Sequence, residues 1–203
     1  MIKSIFLCFM TLAISQVNDI DSTIVNNKNI NEMNVTITFK TLKVGIDVNS
    51  KFRFKGGEGD DYIMPTDDGL SLAAEIYINN KFDAGIEMLT ETDLMMESAG
   101  SFSQLSIYGL YNFYSDENIK LMPKFGFTSL TYDQPSSNYG GNYEKWTSKG
   151  GIMYGFQIEY KDKIHLSYTR HFGVISQNNS EYYSNFDMDT RASRFNISYA
   201  FNF

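Results

Sequence analysis

The chain has 203 residues, a length that fits one domain of ordinary size. Its formal net charge of −7, without a cluster of lysines or arginines, excludes a typical nucleic-acid-binding protein. Its only cysteine, Cys8, excludes a disulfide framework or a thiolate metal site in the rest of the chain. We therefore expect neither a cofactor nor a metal centre.

The first residues have the layout of a secretory signal peptide. Lys3 is followed by an apolar stretch over residues 5–14, and Ala13 and Ser15 form a cleavage pattern before Gln16. The apolar stretch is too short to span a bilayer as a helix, and a buried N-terminal strand or helix is the alternative. We expect a signal peptide over residues 1–15, a flexible lead-in over residues 16–39 that is rich in Asn and Asp, and a barrel over residues 40–203.

From the lead-in onwards, apolar residues recur with a period of two, which is the period of a β-strand. The last strand shows this best, because Phe195, Ile197 and Tyr199 fall on one face while Asn196 and Ser198 fall on the other. The same alternation predicts eight strands, over residues 42–54, 70–78, 82–90, 105–113, 119–131, 152–160, 164–175 and 194–203.

The connections between these strands alternate strictly between short and long. Residues 79–81, 115–118 and 161–163 are short turns, whereas residues 55–69, 93–101, 133–149 and 176–190 are long loops. In an up-and-down barrel this alternation places every long loop at one end, as in outer-membrane barrels. The sequence therefore predicts an all-β fold, an eight-stranded antiparallel up-and-down transmembrane β-barrel.

Two segments near the end, GIMYGFQIEYKDKIHLSYTRHF and RFNISYAFNF, resemble the closing strands of small OmpA/OmpX-type outer-membrane barrels. The resemblance covers residues 40–203 by layout and about the last fifty by motif. It implies a place in a Gram-negative outer membrane, among its lipids and lipopolysaccharide, with long loops extracellular and termini periplasmic. It also implies that Tyr199, Phe201 and Phe203 form the signal read by the barrel-assembly machinery.

Strand parity also predicts which charged residues point into the barrel. An eight-stranded barrel is just wide enough for side chains to fill it, and charges inside should pair. We expect a polar core that closes the barrel, with a small gated channel as the alternative. The predicted lumen residues are Lys43, Asp47, Glu75, Asp83, Glu87, Lys120, Lys124, Glu159 and His165.

Three residues do not fit simple alternation. Arg170 and Pro123 fall on the lipid-facing side, so Arg170 either lies at the outer rim near lipopolysaccharide phosphates or is re-aimed by a bulge. Phe39 is out of parity with Leu42 and Val44, which predicts a bulge near Lys40 or a segment outside the barrel.

Two long loops carry aromatic residues among Ser, Asn and Gly, a composition typical of protein-binding loops. They are candidate contacts for a host or cell-surface protein, and an aromatic girdle with inert loops is the alternative. The candidate binding residues are Tyr139, Tyr143, Trp146, Tyr182, Tyr183 and Phe186.

We interpret the protein as non-enzymatic, with a structural or surface-interaction role in envelope integrity or adhesion. The first rival is an enzyme, because His165-x-Ser167 resembles the His-x-Ser pair of eight-stranded lipid A deacylases, with Glu181 as the third member. Its placement at the periplasmic start of a strand argues against that role. A soluble lipocalin-type barrel is the second rival, and it would bury aromatic residues inside.

Overall fold

A computed structural model of the protein describes residues 38–55, 61–66, 68–94, 100–134, 144–177 and 187–203. The described residues form ten strands: β1 (Thr38–Lys55), β2 (Asp61–Pro65), β3 (Gly69–Asn79), β4 (Phe82–Asp93), β5 (Ser101–Tyr111), β6 (Tyr114–Ser115), β7 (Ile119–Gln134), β8 (Glu144–Tyr160), β9 (Ile164–Gln177) and β10 (Asp187–Asn202). This part of the chain contains no helix long and apolar enough to cross a membrane. The predicted signal peptide and residues 16–37 of the lead-in lie outside the described residues.

Eight of these strands close into a ring of antiparallel neighbours, in the order β1-β3-β4-β5-β7-β8-β9-β10. The ring closes because β10 pairs with β1, from Thr41 opposite Asn202 to Phe54 opposite Thr190. The short strand β2 pairs with the last residues of β1, and β6 pairs with the start of β7. The predicted eight-stranded antiparallel barrel is therefore confirmed.

The predicted short turns are confirmed, and each has a local cause. Asn79 Oδ1 accepts hydrogen bonds from the backbone N–H groups of Lys81 and Phe82, at 2.9 and 3.1 Å. Lys161 and Asp162 take φ values of 50° and 56°, the left-handed conformation of the two central residues of a type I′ turn, which the Lys163 N–H closes by donating to Tyr160 O at 3.1 Å. Side-chain capping and left-handed residues thus set these reversals.

The long connections are shorter than predicted, because the strands continue into them. Strand β7 runs to Gln134 and β8 starts at Glu144, so nearly half of the predicted loop over residues 133–149 belongs to strands at its two ends. The last strand starts at Asp187 rather than at Arg194. A barrel strand needs only about 9–11 residues to cross a bilayer, so these strands of 14–18 residues are long enough to extend beyond one.

Bulges divide the wall into two parts. Register shifts lie between Val48 and Lys51 in β1, between Leu89 and Thr92 in β4, and between Ser148 and Gly151 in β8. We call the segment on the side of the short turns the turn half (residues 41–48, 82–89, 151–160 and the segments paired with them). The remainder, on the side of the long loops, is the loop half.

The turn half has the polarity predicted from parity. Its outward side chains include Ile107, Phe125 and Phe127, which are 61%, 60% and 73% exposed. Eight of the nine predicted lumen residues are buried, and Lys120 is partly buried. The predicted bulge at Lys40 is also present, as a register shift between Phe39 and Thr41.

The loop half has the opposite polarity, which the sequence did not predict. Beyond the bulges, Phe52, Leu94 and Trp146 turn inward, while Lys51 and Asp93 turn outward. The inward side chains join an apolar cluster made of Phe52, Leu89, Leu94, Phe102, Leu130, Tyr132, Trp146, Ile175, Met188 and Ala192. The expectation of a lumen that is polar throughout is therefore wrong for this half.

Candidate functional site

The interior of the turn half holds a network of ion pairs that crosses the barrel. Arg194, on β10, donates from Nε and Nη2 to the carboxylate of Asp47 on β1, the second contact measuring 2.8 Å. Its Nη1 lies 2.7 Å from Glu87 on β4, and Glu87 also accepts a hydrogen bond from Lys124 on β7. One fully buried guanidinium thereby joins three strands, and Glu87 links it to a fourth, β7.

A second group of ion pairs lies nearer the short turns. Lys43 donates to Glu75, and also to Gln157 Oε1 at 2.9 Å. Lys40 lies 2.6 Å from Asp83 and 3.5 Å from Glu159. The charges that parity placed inside the barrel do pair across it, as expected.

Tyr108 is packed at the centre of this network, where Gly85 leaves room for its ring and Gly126 for its backbone. Strand register places it directly between Gly85 on β4 and Gly126 on β7. A Cβ added to Gly85 would lie 2.6 Å from the Tyr108 ring. The Tyr108 hydroxyl donates to Glu75 at 2.9 Å, and the Lys124 ammonium lies 3.8 Å from the ring centroid.

The charges of this network balance. Inside the barrel, five cations (Lys40, Lys43, Lys120, Lys124, Arg194) face five carboxylates (Asp47, Glu75, Asp83, Glu87, Glu159), and Lys120 also pairs with the exposed Asp162 at the neighbouring turn. Buried charges are costly unless they are paired and hydrogen-bonded. A balanced, paired set is what a filled polar core requires.

One group in this network has ligand types that suit a metal ion. Glu75, Glu159 and His165 are buried, and one donor atom of each lies within 4.8 Å of the others. Lys43 already neutralises Glu75, and Lys40 and Lys120 lie near Glu159. A divalent cation here would face three ammonium groups, so these residues do not fit a metal site.

The residues of the enzyme hypothesis also lie inside the barrel. His165 and Ser167 are 2% and 7% exposed, and the ring of His165 is 3.2 Å from Gln157 and 3.7 Å from Glu159. Glu181 lies outside the described residues. A molecule outside the wall has no access to this buried pair.

Of the six candidate loop residues, the structure describes Trp146 alone. Trp146 lies in β8 and is 6% exposed, so it belongs to the apolar cluster rather than to a binding loop. Its side chain points inward because the bulge between Ser148 and Gly151 reverses the parity of the strand. The other candidates, Tyr139, Tyr143, Tyr182, Tyr183 and Phe186, lie outside the described residues.

The proposed assembly residues all face outward near the short turns. Tyr199, Phe201 and Phe203 are 46%, 48% and 72% exposed. The Phe203 ring packs against Phe39 with centroids 5.3 Å apart, and Tyr199 meets Phe201 edge to face at 5.1 Å.

Sequence reasoning missed several interior residues. Arg194 is not among the predicted lumen residues, although it shares its parity with Asn196 and Ser198, so the alternation could have placed it inside. His171 is fully buried and lies 2.8 Å from the Thr169 hydroxyl. For Lys40 the bulge beside it hides the signal, because a bulge changes the parity on which the prediction depends.

No protein-family model and no curated protein matches the sequence. Among solved structures, the chain is similar to Ail, the attachment invasion locus protein of Yersinia pestis, in complex with the heparin analogue sucrose octasulfate. The identity is 15% over 81% of this chain and 99% of that chain, with a TM-score of 0.48. Neisserial surface protein A gives 12% identity over 82% and 99% of the two chains, with a TM-score of 0.48.

The outer-membrane protein OprG from Pseudomonas aeruginosa gives 12% identity over 81% of this chain and 95% of that chain, with a TM-score of 0.45. These proteins are small outer-membrane β-barrels, so the resemblance expected from the closing strands is found again among solved structures. The likeness concerns the fold alone.

Proposed function

We propose that the protein is an outer-membrane β-barrel with a structural and surface-interaction role: a sealed wall that presents long loops outside the cell. The observation that carries this is the apolar outer face of the turn half around a filled polar interior. From Phe195 to Phe203 the outward side chains rise about 20 Å, at about 3.3 Å per residue and a tilt of about 40°. That height approaches the apolar band of about 25 Å typical of such barrels.

A soluble barrel does not account for this outer face. Monomeric soluble proteins rarely expose apolar patches larger than a few hundred Å². Here large apolar side chains are exposed on the outer wall along all eight ring strands, among them Ile46, Leu70, Ile107, Phe127 and Phe195. The aromatic residues buried in the loop half are compatible with a lipocalin-like interior. The apolar outer face, however, is not compatible with a barrel that is surrounded by water.

A channel is disfavoured by the filled interior. Lys43, Glu75, Lys124 and Arg194 are 0–4% exposed, so solvent hardly reaches the middle of the barrel. The apolar cluster fills the loop half in the same way. We therefore expect no steady conductance from the purified protein in a planar lipid bilayer.

The orientation follows the resemblance, with long loops outside and termini in the periplasm. Lipid and lipopolysaccharide then surround the wall, and the barrel-assembly machinery reads Tyr199, Phe201 and Phe203. Tyr139, Tyr143, Tyr182, Tyr183 and Phe186 remain the candidate contacts for a host or cell-surface protein. In this proposal Trp146 supports the wall instead.

The same proposal makes the protein a non-enzyme, because His165 and Ser167 are buried inside the wall. Ser167→Ala should leave the acyl pattern of lipid A unchanged when cells carrying the variant are compared with wild type by mass spectrometry. A changed acyl pattern would restore the deacylase hypothesis.

The proposal as a whole is tested by cell fractionation. We expect the protein in the outer-membrane fraction, with different gel migration before and after boiling, as folded barrels resist unfolding in detergent. A soluble periplasmic pool without this heat-dependent shift would overturn it.

A further inference from the structure

A layer of uncharged polar side chains crosses the interior between the ion pairs of the turn half and the apolar cluster. On β5, the Gln104 amide nitrogen donates to the Ser106 hydroxyl at 2.7 Å, and that hydroxyl donates to Thr128 on β7 at 3.1 Å. Across the lumen, His171 Nε2 on β9 lies 3.5 Å from the same amide nitrogen and 2.8 Å from the Thr169 hydroxyl. We call these five residues the boundary layer.

Strand register places this layer where the interior changes polarity. On β9, Thr169 lies opposite Arg194 of the ion-pair network, whereas the next inward residue, His171, lies opposite Ala192 of the apolar cluster. Gln104 lies between two members of the same cluster, one on β4 and one on β7. Gln104 and His171 are 3% and 0% exposed, so bulk solvent does not reach their polar atoms.

The end of this chain of hydrogen bonds fixes the direction of every bond in it. Thr128 Oγ1 also lies 3.5 Å from the backbone carbonyl oxygen of Leu105, and a carbonyl can only accept. The Thr128 hydroxyl therefore donates there and accepts from Ser106, whose hydroxyl in turn accepts from one N–H of Gln104. The second N–H of this amide then points at His171.

This direction determines which nitrogen of His171 carries the ring proton. An amide N–H can only donate, so His171 Nε2 must present its lone pair to Gln104. The Thr169 hydroxyl donates to the same lone pair. A ring nitrogen that accepts carries no proton, so the proton lies on Nδ1 and the imidazole is neutral.

Two buried polar atoms of the layer then have no partner among the described residues. They are His171 Nδ1, whose N–H is a donor, and Gln104 Oε1, which is an acceptor. Unpaired buried polar atoms are costly, and buried water commonly satisfies them. Water can accept from the N–H and donate to the amide oxygen. An ammonium or a carboxylate could pair with only one of the two, and it would add a charge beside the apolar cluster.

We propose that Gln104 and His171 bind one ordered water molecule inside the barrel, with His171 in its neutral form protonated on Nδ1. The inference rests on the interior contacts and does not depend on where the barrel lies in the cell. With this water bound, both remaining polar atoms are hydrogen-bonded. The apolar cluster can then pack directly on the ion-pair network without leaving unpaired polar atoms between them.

The test is nuclear magnetic resonance of the full chain, refolded in phospholipid nanodiscs with isotopically labelled histidine. The chain has only two histidines, and the variant His165→Asn tells their ring signals apart. At neutral pH we expect His171 to carry its proton on Nδ1 and to show a bare Nε2. The Nδ1 proton should also give a cross peak to a long-lived water. A proton on Nε2, a doubly protonated ring or a missing water cross peak would overturn the proposal.

A pair of matched variants tests which side chain holds the water. Gln104→Met keeps the length of the side chain but removes its amide, so the water cross peak of His171 should be lost. The control is Gln157→Met, which removes the other buried glutamine that lies against a histidine ring, His165, at 3.2 Å. The control should keep the cross peak of His171. Persistence of that cross peak in Gln104→Met, or its loss in both variants, would contradict the site.

Each variant is first checked for heat-dependent gel migration. If Gln104→Met does not fold, the wild-type spectrum still decides, because the position of the ring proton and the water cross peak are both observed without a substitution. Failure of the proposed function would appear in the cell fractionation and would leave this spectrum unchanged.

Discussion

In the turn half of the barrel, β1 turns Val44 and Ile46 outward and Lys43 inward, whereas a few residues later it turns Lys51 outward and Phe52 inward. In the turn half the inward side chains are therefore polar and the outward ones apolar. In the loop half the inward side chains are apolar and the outward ones polar. The reversal fits a change of surroundings, from lipid to water, because apolar side chains face whichever side excludes water.

In β1, the bulge reverses which side chains face inward and which face outward. Apolar residues occupy the even-numbered positions from Leu42 to Val48 and again Phe52, with only Ser50 between them, so the sequence alternation hardly changes. The extra residue between Val48 and Lys51 rotates the rest of the strand by one face. In β5, β7 and β10 the described strands keep their parity, and their inward residues change instead, from Gln104 to Phe102 in β5.

The largest effect is expected from removing the cation that holds the polar half together. Arg194→Met leaves Asp47 and Glu87 without this buried partner, which should lower the free energy of unfolding by about 3–5 kcal/mol. Urea titration of the barrel in phospholipid vesicles measures this. Arg191→Met, three residues away on the outer face, should change it little; equal losses would contradict the assignment of inside and outside.

A somewhat smaller loss is expected in the apolar half. Phe52 is 0% exposed and stacks on Phe102 and Tyr132 with centroids 5.2 and 5.9 Å apart. Phe52→Ala should cost about 3–4 kcal/mol in the same titration. The control is Ile63→Ala, because Ile63 is in the same half but 56% exposed. If Phe52→Ala is as mild as this control, the bulge does not turn Phe52 inward.

The packing of the Tyr108 ring against Gly85 predicts a third, intermediate effect on the free energy of unfolding. Gly85→Ala places a Cβ about where the Tyr108 ring lies, so it should cost about 1–3 kcal/mol by overpacking. Gly109→Ala is the matched control on the neighbouring strand, because the nearest atom to its added Cβ is 3.9 Å away. A neutral Gly85→Ala would mean that Tyr108 does not pack against that glycine.

The smallest effect concerns the short turn that contains Asp116. Backbone N–H groups of Asn118 and Ile119 donate to Asp116, and they hold the pKa of that carboxyl below its ordinary value of 3.8. This stabilisation is present above pH 3.8 and is lost as pH falls through the lowered pKa. The difference in unfolding free energy between wild type and Asp116→Ala should therefore shrink in acid.

The control for this prediction is Glu117→Ala, which removes a carboxylate from the same turn and leaves the hydrogen bonds of Asp116 in place. It should keep the acid dependence of the wild type. A wild-type–Asp116→Ala difference that stays constant with pH would show that the turn does not depend on the charge of Asp116.

The sequence allowed the turn half to be predicted nearly in full, because strand parity alone places Lys43, Asp47 and Glu75 inside. Pairing then followed, since buried charges require partners. The loop half could not be predicted in the same way, because the single interruption in the run from Leu42 to Phe52, Ser50, does not by itself indicate a bulge. Trp146 was assigned to a loop for the same reason: its strand continues past the point where the alternation was visible.

The reversal of polarity along one strand is the central claim, and cysteine accessibility tests it most directly. In a Cys8→Ser background, single substitutions Asp189→Cys, Arg191→Cys, Phe195→Cys and Ile197→Cys sample the outer face of β10. We expect a membrane-impermeant maleimide to label the first two in intact cells, and to label the last two only after denaturation. Equal labelling of Phe195→Cys and Asp189→Cys would contradict a wall whose turn half lies in lipid.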